Sequence, residues 1–223
     1  MSSFANIIFD LDGTLVDSAP SLCKAGNLLL DKLGRPPIDV QTYKTFIGKG
    51  LFKQVEQLLL HTGGIPNNSL TEQFKAFQTF YDSDTLSSTT VYDGVYSCLE
   101  ALVQLPSKLS ICTQKTEKPA RKILSHFDLE KYFEGFTFGD SLSVMKPDPA
   151  MVFHSIRDFG DGPSIYIGDS ETDSITAQNA NVIFLLFSGG YRNSRIDEIK
   201  NYAFFDNHSA IVGLVQKILS EAC

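Results

Sequence analysis

The stretch Phe4-Ala5-Asn6-Ile7-Ile8-Phe9-Asp10-Leu11-Asp12-Gly13-Thr14-Leu15 opens on an apolar run and ends in two carboxylates and a glycine. A run such as Phe4–Phe9, without polar alternation, suits a strand covered on both faces, as in a parallel sheet. Working outward, similar runs recur at Leu109–Cys112, Ser164–Ile167 and Val182–Phe187, with a weaker one at Ala203–Phe205. Helical patterns separate them. Lys118–Phe127 carries Ile123, Leu124 and Phe127, and Ala150–Phe159 carries Val152, Phe153 and Ile156. Strands alternating with helices over this length predict an α/β fold with a doubly wound parallel sheet.

The segment from Ser18 to Leu86 breaks that alternation. Leu22, Ala25, Leu29 and Leu33 fall on one helical face, as do Leu51, Val55, Leu58 and Leu59. Gly34, Gly48, Gly63-Gly64 and Pro66 punctuate the stripes. The expected organisation is an α/β core from residues 1–17 and 87–223, with 18–86 inserted as a helical domain of roughly 70 residues. The polar Ser87–Thr90 returns the chain to the sheet.

Acidic residues at i and i+2 beyond a strand end reach one cleft only if the chain turns there, and Gly13 permits the turn. Ligands of open α/β sheets bind beyond the carboxyl ends of the strands, where Asp10 and Asp12 sit. The plainer reading is an Asx-turn with both carboxylates solvated. A calcium loop has a different spacing and no strand before it.

The run FDLDGTL resembles the first motif of the haloacid dehalogenase superfamily, in its phosphatase branch. The other motifs have counterparts in order. Thr113 ends the strand Leu109–Cys112, Lys146 stands in Met145-Lys146-Pro147-Asp148-Pro149, and Gly168-Asp169-Ser170-Glu171-Thr172-Asp173 follows Ser164–Ile167. Alone, each fragment reads as a loop lysine, a strand-end hydroxyl or a helix N-cap. Their order and strand-end placement carry the resemblance, which spans nearly the whole chain, the helical insert matching that family's α-helical cap.

The resemblance implies a Rossmann-like core and phosphoryl transfer to Asp10, giving an aspartyl-phosphate intermediate. It implies Mg²⁺ held by the Asp10 carboxylate, the Asp12 backbone carbonyl and the Asp169 carboxylate, oxygen ligands that suit this ion. Asp12 would protonate the leaving oxygen and then deprotonate the attacking water. Thr113 and Lys146 would hold phosphoryl oxygens, with Lys146 offsetting charge developed in transfer, and Gln114 is a further candidate for substrate binding. Asp173 would orient Lys146 or a metal-bound water. The family most often has Asn where this chain has Gln114. Asp148 is expected to cap a helix beginning at Pro149, just past Lys146, and Gln114-Lys115-Thr116 leads into another helix whose N-terminus favours a phosphate.

The implied substrate is a small anionic phosphorylated metabolite. Phe46-Ile47-Gly48-Lys49-Gly50 resembles the specificity loop of phosphoglycolate phosphatases, and Lys49 is a candidate to pair with a substrate carboxylate. A solvated loop lysine is the plainer alternative. Gly189-Gly190-Tyr191-Arg192 also resembles that subgroup. Asp12 argues against a dehalogenase, which attacks carbon and needs no second acid. A β-phosphoglucomutase-like phosphomutase and a pyrophosphatase share the motifs and stay open, as does a non-catalytic phosphate-binding protein.

Composition narrows the partners. The formal net charge is −7 with a pI of about 5.0, and there is no basic run of five, so nucleic acid is not expected. No apolar segment approaches the ~18 residues a membrane span requires. Asp10 and Asp12 interrupt what a signal peptide would need. Cys23, Cys98, Cys112 and Cys223 are scattered without a C-x-x-C pair, as in a reducing compartment. The protein is therefore expected in the cytoplasm. His61, His126, His154 and His208 match no motif and read as structural or surface residues.

Overall fold

The structure, a computed structural model, describes residues 4–221, so Cys223 lies outside the described residues. In chain order the elements are β1 (Ala5–Phe9), β2 (Val16–Asp17), α1 (Ala19–Lys32), α2 (Val40–Lys44), α3 (Leu51–His61), α4 (Leu70–Ser83) and β3 (Thr90–Val91). They continue with α5 (Val95–Leu102), β4 (Ser107–Cys112), α6 (Glu117–His126), β5 (Gly135–Thr137) and α7 (Ala150–Ser155). The last are β6 (Ser164–Gly168), α8 (Glu171–Ala180), β7 (Ile183–Phe187), β8 (Ala203–Phe205) and α9 (Ala210–Glu221).

Six strands form one sheet in the order β5-β4-β1-β6-β7-β8, and every neighbouring pair is parallel. The unbroken apolar runs follow from burial on both faces. Ile7, Phe9, Ile111, Ile165, Ile167, Leu185 and Phe187 join one core with α5, α6 and α9. Ile8, Cys112, Tyr166, Phe184 and Leu186, the residues between them, join a second with α7 and α8. Alternate side chains of one strand thus serve opposite layers.

Between β1 and α5 the chain leaves the sheet. β2 and β3 pair antiparallel, Val16 with Val91 and Asp17 with Thr90, so the outgoing and returning chain run side by side. The helices beyond them build a separate apolar cluster, in which Leu22, Leu29, Val55, Leu58, Leu59, Phe77 and Tyr81 are buried. Both predicted stripes are among its members, with Leu33 and Leu51 packed on its edge. One member comes from the sheet side, Tyr191.

Two helix boundaries differ from the sequence expectation. The helix expected over Ala150–Phe159 ends at Ser155. It starts at Ala150, whose N–H donates to Asp148 Oδ1 at 2.9 Å, with Pro149 as the N-cap. Cys23, Cys98 and Cys112 are free and buried. Burial pushes the Cys98 and Cys112 thiols up to about 12, so both act as inert hydrophobes. His208 is buried, and no helix among the described residues is long and apolar enough to cross a membrane.

Candidate active site

Asp10, Thr113 and Asp169 each follow directly on a strand, β1, β4 and β6, and these three strands are neighbours at the centre of the sheet. Phe9 is level with both Ile111 and Ile167, so the three functional groups emerge at nearly the same height. Lys146 arrives from the long connection between β5 and α7. Its peptide bond to Pro147 is cis. Together they line one end of a cavity of about 220 Å³, whose other wall is apolar and comes from Leu22, Ile47, Leu51, Phe52 and Phe74 of the helical insert.

Asp10, Asp169 and Asp173 place carboxylate oxygens within 4.8 Å of one another, all buried. Asp173 is saturated. Its Oδ1 accepts from Lys146 Nζ (2.7 Å) and Tyr166 Oη (3.0 Å), and its Oδ2 from Ser170 N (3.1 Å), Ser170 Oγ (2.6 Å) and Asp169 N (3.3 Å). The cap of α8 is therefore Ser170, in a reciprocal box with Asp173, and Asp169 is left to face the cavity. Asp169 accepts from Thr14 Oγ1 at 3.0 Å and Tyr191 N at 2.6 Å. Lys146 Nζ also stands 2.9 Å from Asp10 Oδ1, an ion-pair contact only, since that buried oxygen makes no hydrogen bond.

The electrostatics match this division. Burial pushes the Asp10 carboxyl up to about 7; Lys146 works against the rise and Asp173 adds to it. Burial, then Asp173 and Asp10, hold Asp169 well above the carboxylate range. Burial works to raise Asp173 as well, but Lys146, Ser170 and Tyr166 hold it below its ordinary value. Lys146 is raised despite burial, by Asp10 and Asp173. A cluster with one lysine among three buried carboxylates and an all-oxygen donor set fits a hard divalent cation. Asp10 and Asp169 have the capacity for it, whereas Asp173 is spent on Lys146 and the α8 cap.

Most of the predicted residues meet here. Thr113 is buried on the cavity wall, and Gln114 lines it too. Gln114 Nε2, however, donates to Gly48 O of the insert at 2.9 Å, so its amide ties the sheet to the Gly48–Gly50 loop. Lys49 is not brought to the cavity. Gly48 and Gly50 line it while the Lys49 side chain between them is exposed, the placement of a solvated loop lysine.

Sequence reasoning missed Lys115. Its Nζ pairs with both Asp12 oxygens, at 2.9 and 3.0 Å, and sits 5.1 Å from the centre of the Tyr81 ring. Asp12 raises the ammonium further although burial opposes it. The available signal was Thr113-x-Lys115, the same i, i+2 spacing at a strand end as Asp10-x-Asp12. Sequence reasoning singled out Tyr191 within Gly189–Arg192 but not its role: Tyr191 Oη accepts from Ser18 N (2.8 Å) and Ala19 N (3.1 Å) and donates to Asp17 Oδ1 (2.7 Å), fastening the start of the insert.

Residues 7–187 match the family described as haloacid dehalogenase-like hydrolase. The chain is 37% identical over 211 residues to the phosphoglycolate phosphatase of Rhodobacter capsulatus, covering 94% of this chain and 96% of that one. It is 34% identical to the phosphoglycolate phosphatase of Psychrobacter arcticus, with 95% of each covered. A crystal structure described as a predicted phosphoglycolate phosphatase from Haemophilus somnus 129PT superposes with a TM-score of 0.88 at 27% identity, covering 94% of this chain and 96% of that one.

Proposed function

Because the chain belongs to the haloacid dehalogenase-like hydrolases, we propose that it is a Mg²⁺-dependent phosphatase that cleaves a small phosphorylated metabolite through a phosphorylated Asp10. The observation that carries this reading is the meeting of Asp10, Thr113 and Asp169 at the ends of adjacent parallel strands, with Lys146 brought to 2.9 Å from Asp10 Oδ1. Asp10, Asp169 and the Asp12 backbone carbonyl are the residues to hold the ion. Bound there, Mg²⁺ supplies charge neutralisation, letting an anionic nucleophile meet an anionic phosphate.

The chain's own groups do the rest. An Asp10 oxygen attacks phosphorus and the bond to the leaving oxygen breaks, with Asp12 giving that oxygen its proton. Asp12 then takes a proton from the water that hydrolyses the phosphorylated Asp10, which restores both carboxyl groups. Thr113 donates to a phosphoryl oxygen, and Lys146, held in place by Asp173 and Tyr166, balances the charge that builds up in transfer. Residues 18–86 act as a cap that excludes water and contacts the leaving group. The names of the relatives support a phosphoglycolate-like acid as substrate, and the buried free thiols support a cytoplasmic site of action.

The test is phosphate release from a panel of phosphorylated metabolites that includes phosphoglycolate, with Mg²⁺ and after chelation. Asp10→Asn should fold normally and lose essentially all turnover, and the chelated enzyme should recover only on adding Mg²⁺. A folded Asp10→Asn retaining more than a few per cent of activity, or full activity without metal, refutes the reading.

A further inference from the structure

Two lysines line the cavity among the described residues, Lys115 and Lys146, and they are used differently. Lys146 is bound on the nucleophile side by Asp10, Asp173 and Tyr166. Lys115 stands on the other side. Its ammonium has three donors and no acceptor. It spans both oxygens of Asp12 and rests against the Tyr81 ring, with its side chain only 6% exposed. Asp12 Oδ1 also accepts from Ser18 Oγ at 2.5 Å. An aspartate at the rim of a cavity is free to turn about its side-chain bonds. Here a fork of one ammonium and one hydroxyl fixes its carboxylate.

The three partners come from different parts of the chain. Lys115 belongs to the sheet, two residues past Thr113, whereas Ser18 starts the helical insert and Tyr81 lies on α4. Asp12 is thus fully held only when the insert sits over the sheet. Taking Asp12 as the acid and base, as proposed above, we infer that Lys115 is a positioning residue. It aims the Asp12 carboxyl at the leaving oxygen and, through Tyr81, ties that aim to the seating of the insert. With two of its three donors on Asp12, this lysine is assigned to holding Asp12 and not to binding the phosphoryl group. That task stays with Thr113 and Lys146.

A positioned acid matters where the leaving oxygen needs a proton. Lys115→Met keeps most of the buried stem and removes the charge. Its kcat/KM should fall about 10²-fold for an alkyl phosphate, the order expected for a misplaced acid. It should change less than about threefold for p-nitrophenyl phosphate, whose leaving group departs without help. Competitive inhibition by inorganic phosphate should be unchanged. Lys115→Arg, which can also span a carboxylate, should recover much of the alkyl rate. Equal losses on both substrates, or phosphate inhibition weakened tenfold, would overturn the inference, the latter by making Lys115 a phosphate ligand. Asp12→Asn, measured in parallel, separates the two readings. If it loses both substrates equally, the acid role of Asp12 fails. If it discriminates and Lys115→Met does not, only the role of Lys115 fails. The double variant should be no slower on the alkyl phosphate than Asp12→Asn alone, and additive losses also count against positioning.

Discussion

Replacing Tyr191 by Phe removes one oxygen atom and leaves the ring in the apolar cluster of the insert. That oxygen accepts from the backbone N–H groups of Ser18 and Ala19 and donates to Asp17 Oδ1. Ala19 N keeps a second acceptor, Asp17 Oδ1 at 3.2 Å, but the fully buried Ser18 N–H loses its partner. A buried donor left unpaired costs about 1–3 kcal/mol, and a hydrogen bond to a carboxylate contributes about 1.5–3 kcal/mol. Asp17 is partly exposed and keeps Lys44 at 3.3 Å, which puts the second contribution at the low end. The sum is about 3 kcal/mol, and for a chain of this size that lowers Tm by about 6–12 °C. The assay is urea denaturation beside Tyr43→Phe, since the Tyr43 hydroxyl is equally buried but makes no hydrogen bond. Tyr43→Phe deletes a buried hydroxyl without a partner, so it should destabilise by no more than about 0.5 kcal/mol and can stabilise by about 1–3 kcal/mol. A Tyr191→Phe loss within that same margin, or equal losses at both positions, refutes the reasoning.

Gly190 packs against Asp169, where an added Cβ would lie 2.3 Å from both Asp169 Cβ and Oδ2. Gly190→Ala should weaken Mg²⁺ activation at least tenfold, while Gly213→Ala in α9, with nothing within 4 Å, should leave it unchanged; both read from Mg²⁺ titrations of activity. His208 is buried with Nε2 2.7 Å from Thr14 O, an atom that only accepts, so Nε2 carries the proton, and burial holds the imidazole below its ordinary pKa. A lowered histidine contributes stability that is complete above the unfolded value of about 6.5 and is lost as pH falls below it. The stability advantage of the wild type over His208→Gln, measured by urea denaturation, should therefore shrink from about pH 7.5 to about pH 5.5, and a constant gap contradicts the assignment.

How much of this was legible depended on where each residue's partners lie. The central strands announced themselves because both faces are covered, but Thr113 and Asp169 at their ends were singled out only through the resemblance carried by the ordered motifs, since each alone reads as a strand-end hydroxyl or a helix cap. β5 was missed because a three-residue edge strand, Gly135-Phe136-Thr137, carries no pattern. β2 and β3, two residues each, carry none either. α8 lacked an apolar stripe since its buried face is Asp173, Ser174, Thr176, Ala177 and Ala180. Lys49 was singled out by the resemblance of its loop, and that loop does reach the cavity through Gly48 and Gly50 while the lysine side chain is exposed. Lys115 and Tyr191 act through contacts with Asp12, Tyr81, Asp17 and Ser18, and local spacing marks such residues without naming these distant partners.

The pairing of β2 with β3 has a consequence for how this architecture can vary. The chain departs and returns on adjacent strands, about 4.8 Å apart, so the sheet meets the same boundary whatever length of polypeptide lies between. Closing a connection twice as long costs only about 0.6 kcal/mol more. Segments of different size and composition can therefore be exchanged at this port without disturbing the strand ends that carry Asp10, Thr113 and Asp169. Leaving-group chemistry becomes a replaceable module, and the phosphoryl chemistry stays with the frame.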